Sequence, residues 1–314
     1  MSVRTSHRAI SAILIGLLLS FAQLASSDEP SSAPDETLTA AQQQAKAVWN
    51  AAAAAMIHGP GDVSLRDQAR LTLPSGYGFV PQKEAAAVMH VMGNTTDGSF
   101  IGLVFPLEEG KSWFVSVDFQ DSGYIKDDDA KDWNADELLK SLKDGTEAAN
   151  EERTKVGVPA IEVTRWIEAP QYESTQHHLV WSAEAKLRDG EDPDPTINYN
   201  TYVLGREGYI SMNLITTAST VEADKPAATR LLSAVSFNEG KRYADFNSST
   251  DKVAAYGLAA LVAGVAAKKL GLLALAGAFI LKFAKLIALS VAAAGGGVWK
   301  WVKNRGAKDS GTAA

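Results

Sequence analysis

Apolar and polar positions follow three regimes along this chain. Ile10 to Phe21 is one short apolar run. From Val63 to Phe237 apolar residues mostly alternate with polar ones, a period of two broken by helical stretches. From Val253 to Val302 the chain is apolar again, rich in Ala and Gly, and every charge in it is a lysine.

The middle regime predicts a succession of elements. Leu38 to Ile57 is Ala- and Gln-rich with no breaker before Gly59-Pro60-Gly61, so a weakly packing accessory helix is expected there. Val63 and Leu65, then Leu71 and Leu73, read as a hairpin. Pro81 opens a short helix through Ala85 to Met89. Ser99 to Phe105 and Ser112 to Phe119 read as strands, with Trp113, Val115, Val117 and Phe119 on one face of the second and Phe114 and Ser116 on the other. Asn134 is placed as the N-cap of a helix running to about Arg153, with Asp136 and Glu137 in its first turn. Strands follow over Ala160 to Glu168, His177 to Lys186, Ile197 to Leu204 and Tyr209 to Thr216, then a helix from Thr220 to Ser233. The segment Asp189 to Pro195, with two prolines and four acids, is a solvated loop. Strands without regular strand–helix alternation give an α+β class, an antiparallel sheet with inserted and flanking helices.

The two apolar ends read as targeting. Arg4 and Arg8 precede the first run, which is shorter than the ~20 residues of a comfortable span, and Ala25-Ser26-Ser27 offers a cleavage site. An export signal is expected over 1–27, then a linker and accessory helix (28–60), an extracytoplasmic α+β domain (61–250), membrane-anchoring apolar helices (251–303) and a polar tail (304–314). With lysines at 268, 269, 282, 285 and 300, a single crossing from Val253 to about Leu270 keeps all eight basic residues of 253–314 on the cytoplasmic side and is preferred; a hairpin turning at Lys282 to Lys285 is the alternative. Gly257, Gly264 and Gly271 recur every seven residues, a stripe on which helices pack closely and through which the chain is expected to self-associate; a plain Ala/Gly anchor is the alternative.

Charge follows the same division. Residues 28–252 carry 36 acids against 20 bases, a net of −16, while residues 253–314 carry eight bases and one acid. So acidic a middle argues against binding to nucleic acid and against lying flat on anionic lipid. The chain has no cysteine, so no disulfide or thiol chemistry enters.

No motif assigns a catalytic, cofactor-binding or metal-ligating residue. Gly110-Lys111-Ser112 ends like a phosphate loop, but Phe105 stands where its first glycine belongs. Asp127-Asp128-Asp129 with Asp132 lacks the glycine and glutamate of a calcium loop and reads as a solvated acidic turn. His177 and His178, neighbours on a strand, point to opposite faces and do not close on one metal. There is no Gly-x-Ser-x-Gly elbow.

Trp166 to Glu173, Leu179-Val180-Trp181 and Asn198-Tyr199-Asn200 with Leu204-Gly205-Arg206 carry a resemblance. The chain resembles an uncharacterised bacterial family of predicted membrane-anchored proteins, domain of unknown function 2167, over roughly Asn50 to Arg305. The strand pair ending in Leu-Gly-Arg is its most specific part. The resemblance implies an envelope location with a membrane anchor; it implies no activity, and no residue role is carried over. At fold level the order of elements is similar to PsbP-like antiparallel sandwiches.

The expected function is therefore a non-enzymatic envelope protein, held in the cytoplasmic membrane by its C-terminal region. Its domain would bind an unknown envelope protein or small ligand, with Tyr172, Tyr199 and Arg206 as the candidate partner surface. A membrane-active oligomer working through the Ala/Gly/Lys helices is the alternative. A hydrolase using carboxylates such as Asp118, Asp121 and Glu173 is the third.

Overall fold

The computed structural model describes residues 40–155, 159–190 and 192–263. The expected export signal, most of the expected linker, Gly264, Gly271 and the rest of the C-terminal region lie outside the described residues.

The period-two stretches pair into two antiparallel sheets. In chain order the strands are β1 (Ile57–His58), β2 (Gly61–Leu65), β3 (Ala69–Leu73), β4 (Tyr77–Pro81), β5 (Phe100–Pro106), β6 (Phe114–Gln120), β7 (Ile161–Glu173), β8 (His178–Leu187), β9 (Thr196–Leu204), β10 (Tyr209–Thr217) and β11 (Val235–Phe237). Eight form one large sheet in the order β1-β4-β5-β6-β10-β9-β8-β7, and β11-β3-β2 form a small one. The α+β class follows, with helices α1 (Ala40–Ala55), α2 (Gln82–Val91), α3 (Ala135–Lys155), α4 (Val221–Leu232) and α5 (Leu258–Ala263) packed around the large sheet.

Alternation along the strands explains the layering. Val115 and Val117 of β6, with Met212 and Leu214 of β10, face Leu65, Leu71 and Val235 of the small sheet and Leu231 of α4. The next residue along each strand turns the other way. Phe114, Leu103 and Ile215 pack under Trp49 of α1 and Val88 and Met89 of α2. Leu179, Trp181 and Tyr202 lie on that same face of the sheet, with Leu138 of α3 and Leu258 and Val262 of α5. The large sheet is thus a middle layer, covered by the small sheet and α4 on one side and by two groups of helices on the other.

Asn134 caps α3 as its sequence position predicts, its Oδ1 accepting the N–H groups of Asp136 at 2.9 Å and Glu137 at 3.2 Å. β4 is a strand that alternation does not announce, because four consecutive residues, Tyr77 to Val80, are buried between layers on both sides. β7 runs on through Pro170 to Glu173 with repeated register shifts against β8. It is the last strand of its sheet, where a proline without an N–H is tolerated.

After β11 the chain does not leave the domain. A strap from Asn238 to Ala263 crosses back over the helical face. Gly205 bridges Arg242 and Tyr124 bridges Val253. At the second crossing Gly123, with φ +87°, lets the backbone of Lys252 pass where a Cβ would stand 2.6 Å from its carbonyl oxygen. Leu258 and Val262 are then fully buried. The first eleven residues of the apolar C-terminal stretch, Val253 to Ala263, therefore belong to the folded domain.

Candidate functional site

The β7–β8 hairpin turns through Ser174 to His177. His177 is not on the strand, as its sequence position suggested; it holds the last turn position with φ +55°, a left-handed conformation that costs a non-glycine residue roughly 1–2 kcal/mol. Its backbone carbonyl accepts the N–H of Leu204 on β9 at 3.0 Å, which fixes the turn against the sheet.

The ring of His177 is placed by three other groups. The Tyr172 hydroxyl, at the end of β7, lies 3.0 Å from His177 Nδ1 and donates to Asp127 Oδ2 at 2.8 Å. Nδ1 and Asp127 Oδ2 are 3.8 Å apart. The imidazole stacks on Tyr243 at 4.0 Å between centroids; Tyr243 packs at a tilt on Tyr124 at 4.4 Å, and Tyr124 stacks on Phe246 at 3.8 Å. Tyr243 is anchored in turn, its hydroxyl donating to the carbonyl of Ile125 at 2.8 Å. Burial, then the hydrogen bond to Asp127 and its charge, push the Tyr172 phenol far above its ordinary value. Burial also raises Tyr243 and Tyr124. These phenols keep their protons and act as hydrogen-bond donors and stacking surfaces.

Asp127 enters a single 3-10 turn (Asp128–Lys131). Two residues on, the Asp129 carboxylate accepts the N–H groups of Leu258 at 3.1 Å and Ala259 at 3.0 Å, capping α5. The acidic turn is thus not simply solvated, as composition suggested: two of its carboxylates are spent on contacts within the domain.

The candidate partner surface is distributed differently from the expectation. Tyr172 belongs to the His177 cluster. Tyr199 is buried on the opposite face of the large sheet, in the core beneath α4, with the Lys225 ammonium 5.9 Å from its ring centroid. Burial pushes its phenol up to about 12. Arg206 is engaged within the chain: it donates to both oxygens of Asp251, at 2.7 and 2.8 Å, and to the carbonyl of Gly240 at 3.1 Å. The structure does not gather these three into one surface. Gly257 sits against the Asp129 carboxylate, where a side chain would collide with it, so local packing explains that glycine.

A second polar feature crosses the middle of the large sheet. Asp118 accepts Ser116 Oγ at 3.0 Å and Ser99 Oγ at 3.3 Å. Asn200 and Asn213 pair across β9 and β10, and the buried Oδ1 of each has no hydrogen-bond partner among the described residues. This row is closed to solvent. Asp118 on β6 and Glu173 on β7 are four strands apart, about 19 Å at ~4.8 Å per strand, and Asp121 is exposed beyond the end of β6. The carboxylates considered for hydrolysis do not converge. Among the described residues no three His, Cys, Asp or Glu side chains group around a metal position.

Asp127, His177 and Tyr243 escaped sequence reasoning as a unit. Forty-five positions separate Asp127 from Tyr172, and neither spacing nor periodicity links them.

Comparison with known proteins gives a family and little more. The family model described as "Protein of unknown function (DUF2167)" matches residues 57–295. No curated protein matches the chain significantly. Among solved structures, cyanobacterial PsbP (CyanoP) from Synechocystis sp. PCC 6803 is 12% identical, with 66% of this chain and 98% of that one covered at a TM-score of 0.36. A Pseudomonas aeruginosa protein of unknown function, PA94, is 12% identical, covering 54% of this chain and 91% of its own at 0.21. The PsbP-like likeness is weak, and at these scores neither carries a functional argument.

Proposed function

Because the chain belongs to the DUF2167 family of proteins of unknown function, we propose for it a role its own residues support: a membrane-anchored envelope protein whose extracytoplasmic α+β domain is a binding module. The export signal and the lysine-dotted apolar C-terminal region motivate the location. The observation that carries the binding role is the partly exposed Asp127–Tyr172–His177 cluster, in which a strained turn, a hydrogen-bonded phenol and an aromatic stack hold one imidazole near the surface.

The strap refines the anchor. Leu258 and Val262 are buried in the domain, so a span beginning at Val253 would have to pull them out of the core. Among the described residues no helix is long and apolar enough to cross a membrane. The proposed crossing therefore uses apolar residues after Ala263.

Cysteine labelling tests this reading, since the natural chain has no thiol. Ser248, exposed on the strap, and Ser310, near the C-terminus, are replaced singly by cysteine. Intact cells are treated with a thiol reagent that does not cross the inner membrane. Labelling at 248 with protection at 310 is the expected result. Protection at 248 would place the domain inside the cell and overturn the reading. Labelling at both would replace the single crossing with a hairpin or interfacial tail.

A further inference from the structure

Proton bookkeeping at His177 identifies an open acceptor. The Tyr172 hydroxyl has one proton, and an ionised Asp127 can only accept. That proton goes to Asp127 Oδ2, so the remaining contact requires His177 Nδ1 to donate to the phenol oxygen. Neutral His177 is then the Nδ1–H tautomer, and Nε2 carries the lone pair. Nε2 has no hydrogen-bond partner among the described residues, and the side chain is 27% exposed. Asp127 is exposed to a similar degree, 26%, and its Oδ1 accepts no hydrogen bond from the described residues. Two acceptors thus stand unused on one partly exposed cluster.

The surroundings favour positive charge. The carboxylates acting on Tyr172 are Asp127 and Glu173, and those acting on Tyr124 are Asp127 and Asp128. Two lysines are also close, Lys126 next to Asp127 in the chain and Lys252, whose carbonyl accepts the Tyr124 N–H at 2.8 Å, so three carboxylates stand against two ammonium groups here. His177 also ends the ring stack, and among the described residues no aromatic group covers its outer face. Acceptors, negative field and ring face together suit a donor cation.

We propose that the Asp127–Tyr172–His177 cluster binds a cationic hydrogen-bond donor, an ammonium or guanidinium group, through His177 Nε2 and Asp127 Oδ1. The proposal rests on the binding-module reading and names its ligand class. Tyr172 is a positioning residue: it fixes the tautomer that leaves Nε2 open. A divalent metal fits less well, since the described residues supply no third ligand.

Nitrogen NMR on the full chain in detergent micelles, labelled with 15N-histidine, tests it. The probe is agmatine, which has a guanidinium at one end and an ammonium at the other. The His177 signals are assigned by their loss in His177→Phe. The expected result is an Nδ1–H tautomer whose Nε2 resonance shifts saturably with agmatine. Tyr172→Phe should mix the tautomers and weaken binding by roughly tenfold or more, the scale of one charge-assisted hydrogen bond. Thermal melting of each variant confirms that it is folded. A dominant Nε2–H tautomer, no agmatine response in folded wild type, or a response to zinc but not to agmatine would each overturn the proposal. Labelling at residue 248 distinguishes the two failures. A silent titration with 248 labelled rejects the cation alone; protection at 248 rejects the envelope reading, whatever the ligand.

Discussion

Asp127 and Asp129 stand two positions apart at one 3-10 turn and hold different parts of the domain. Asp127 accepts the Tyr172 hydroxyl at 2.8 Å, beside the candidate site. Asp129 accepts the first N–H groups of α5, at 3.1 and 3.0 Å. The turn therefore ties the imidazole cluster to the helix that closes the core, and damage at either carboxylate should be felt at the other.

Removing the cap should loosen the helix without unfolding the sheet. Asp129→Ala is expected to cost about 0.5–2 kcal/mol, the usual range for a lost N-cap, and Asp129→Asn less. Denaturant unfolding gives the energy. Hydrogen exchange should show faster exchange at 258–263, and unchanged exchange there would mean that the carboxylate is not a cap.

Burial at Leu258 is measurable in the same way. A leucine in a packed core costs about 2–5 kcal/mol when cut to alanine, so Leu258→Ala should lower the stability of the domain by that much. If residue 258 instead faced lipid, the domain's unfolding midpoint would not move.

The Arg206–Asp251 pair predicts an acid limb. The hydrogen bond from Arg206 holds the Asp251 carboxyl well below its ordinary 3.8. A depressed carboxylate stabilises the fold above its unfolded value, and that contribution is lost as pH falls through the folded one. Wild type should lose stability as pH drops below about 3.8, and Arg206→Met should lose less over that interval while being weaker at neutral pH. Parallel slopes for the two proteins would refute the linkage.

His178 acts in the opposite direction. Burial lowers its value from 6.5, with Glu173 opposing the shift and His177 adding to it. The unfolded chain binds that proton more readily than the folded one. Stability should therefore fall as pH drops from about 6.5 towards the folded value, and should be flat above it. His178→Gln should flatten the profile across that interval in urea titrations.

Much of the sheet was legible because a half-buried strand writes its face into the sequence. Val115, Val117 and Phe119 alternate with Phe114 and Ser116, and the structure uses both faces as the alternation implies. Asn134 likewise announced α3 through its own cap chemistry. β4 was not legible, because residues covered on both sides lose the alternation. Val253 to Ala263 misled for a related reason: a helix that packs into a domain and one that enters a membrane draw on the same Ala, Leu and Val. The site was hidden more deeply. Its members are ordinary residues on distant segments, and only the hairpin turn and the strap bring His177 against Tyr172 and Tyr243.

The strap sets the order in which the domain can be completed. A chain grows from its amino end, so β1 to β11 exist before Tyr243, Leu258 and Val262 do. Until residue 263 has been made, Ile125, Leu138 and Trp181 lack part of their cover and that face of the sheet stays open to chaperones or to other chains. Completion of the fold therefore coincides with the arrival of the apolar segment that follows it. A chain broken off at the end of the last strand would have both its sheets but an unfinished cluster around Leu138 and Trp181.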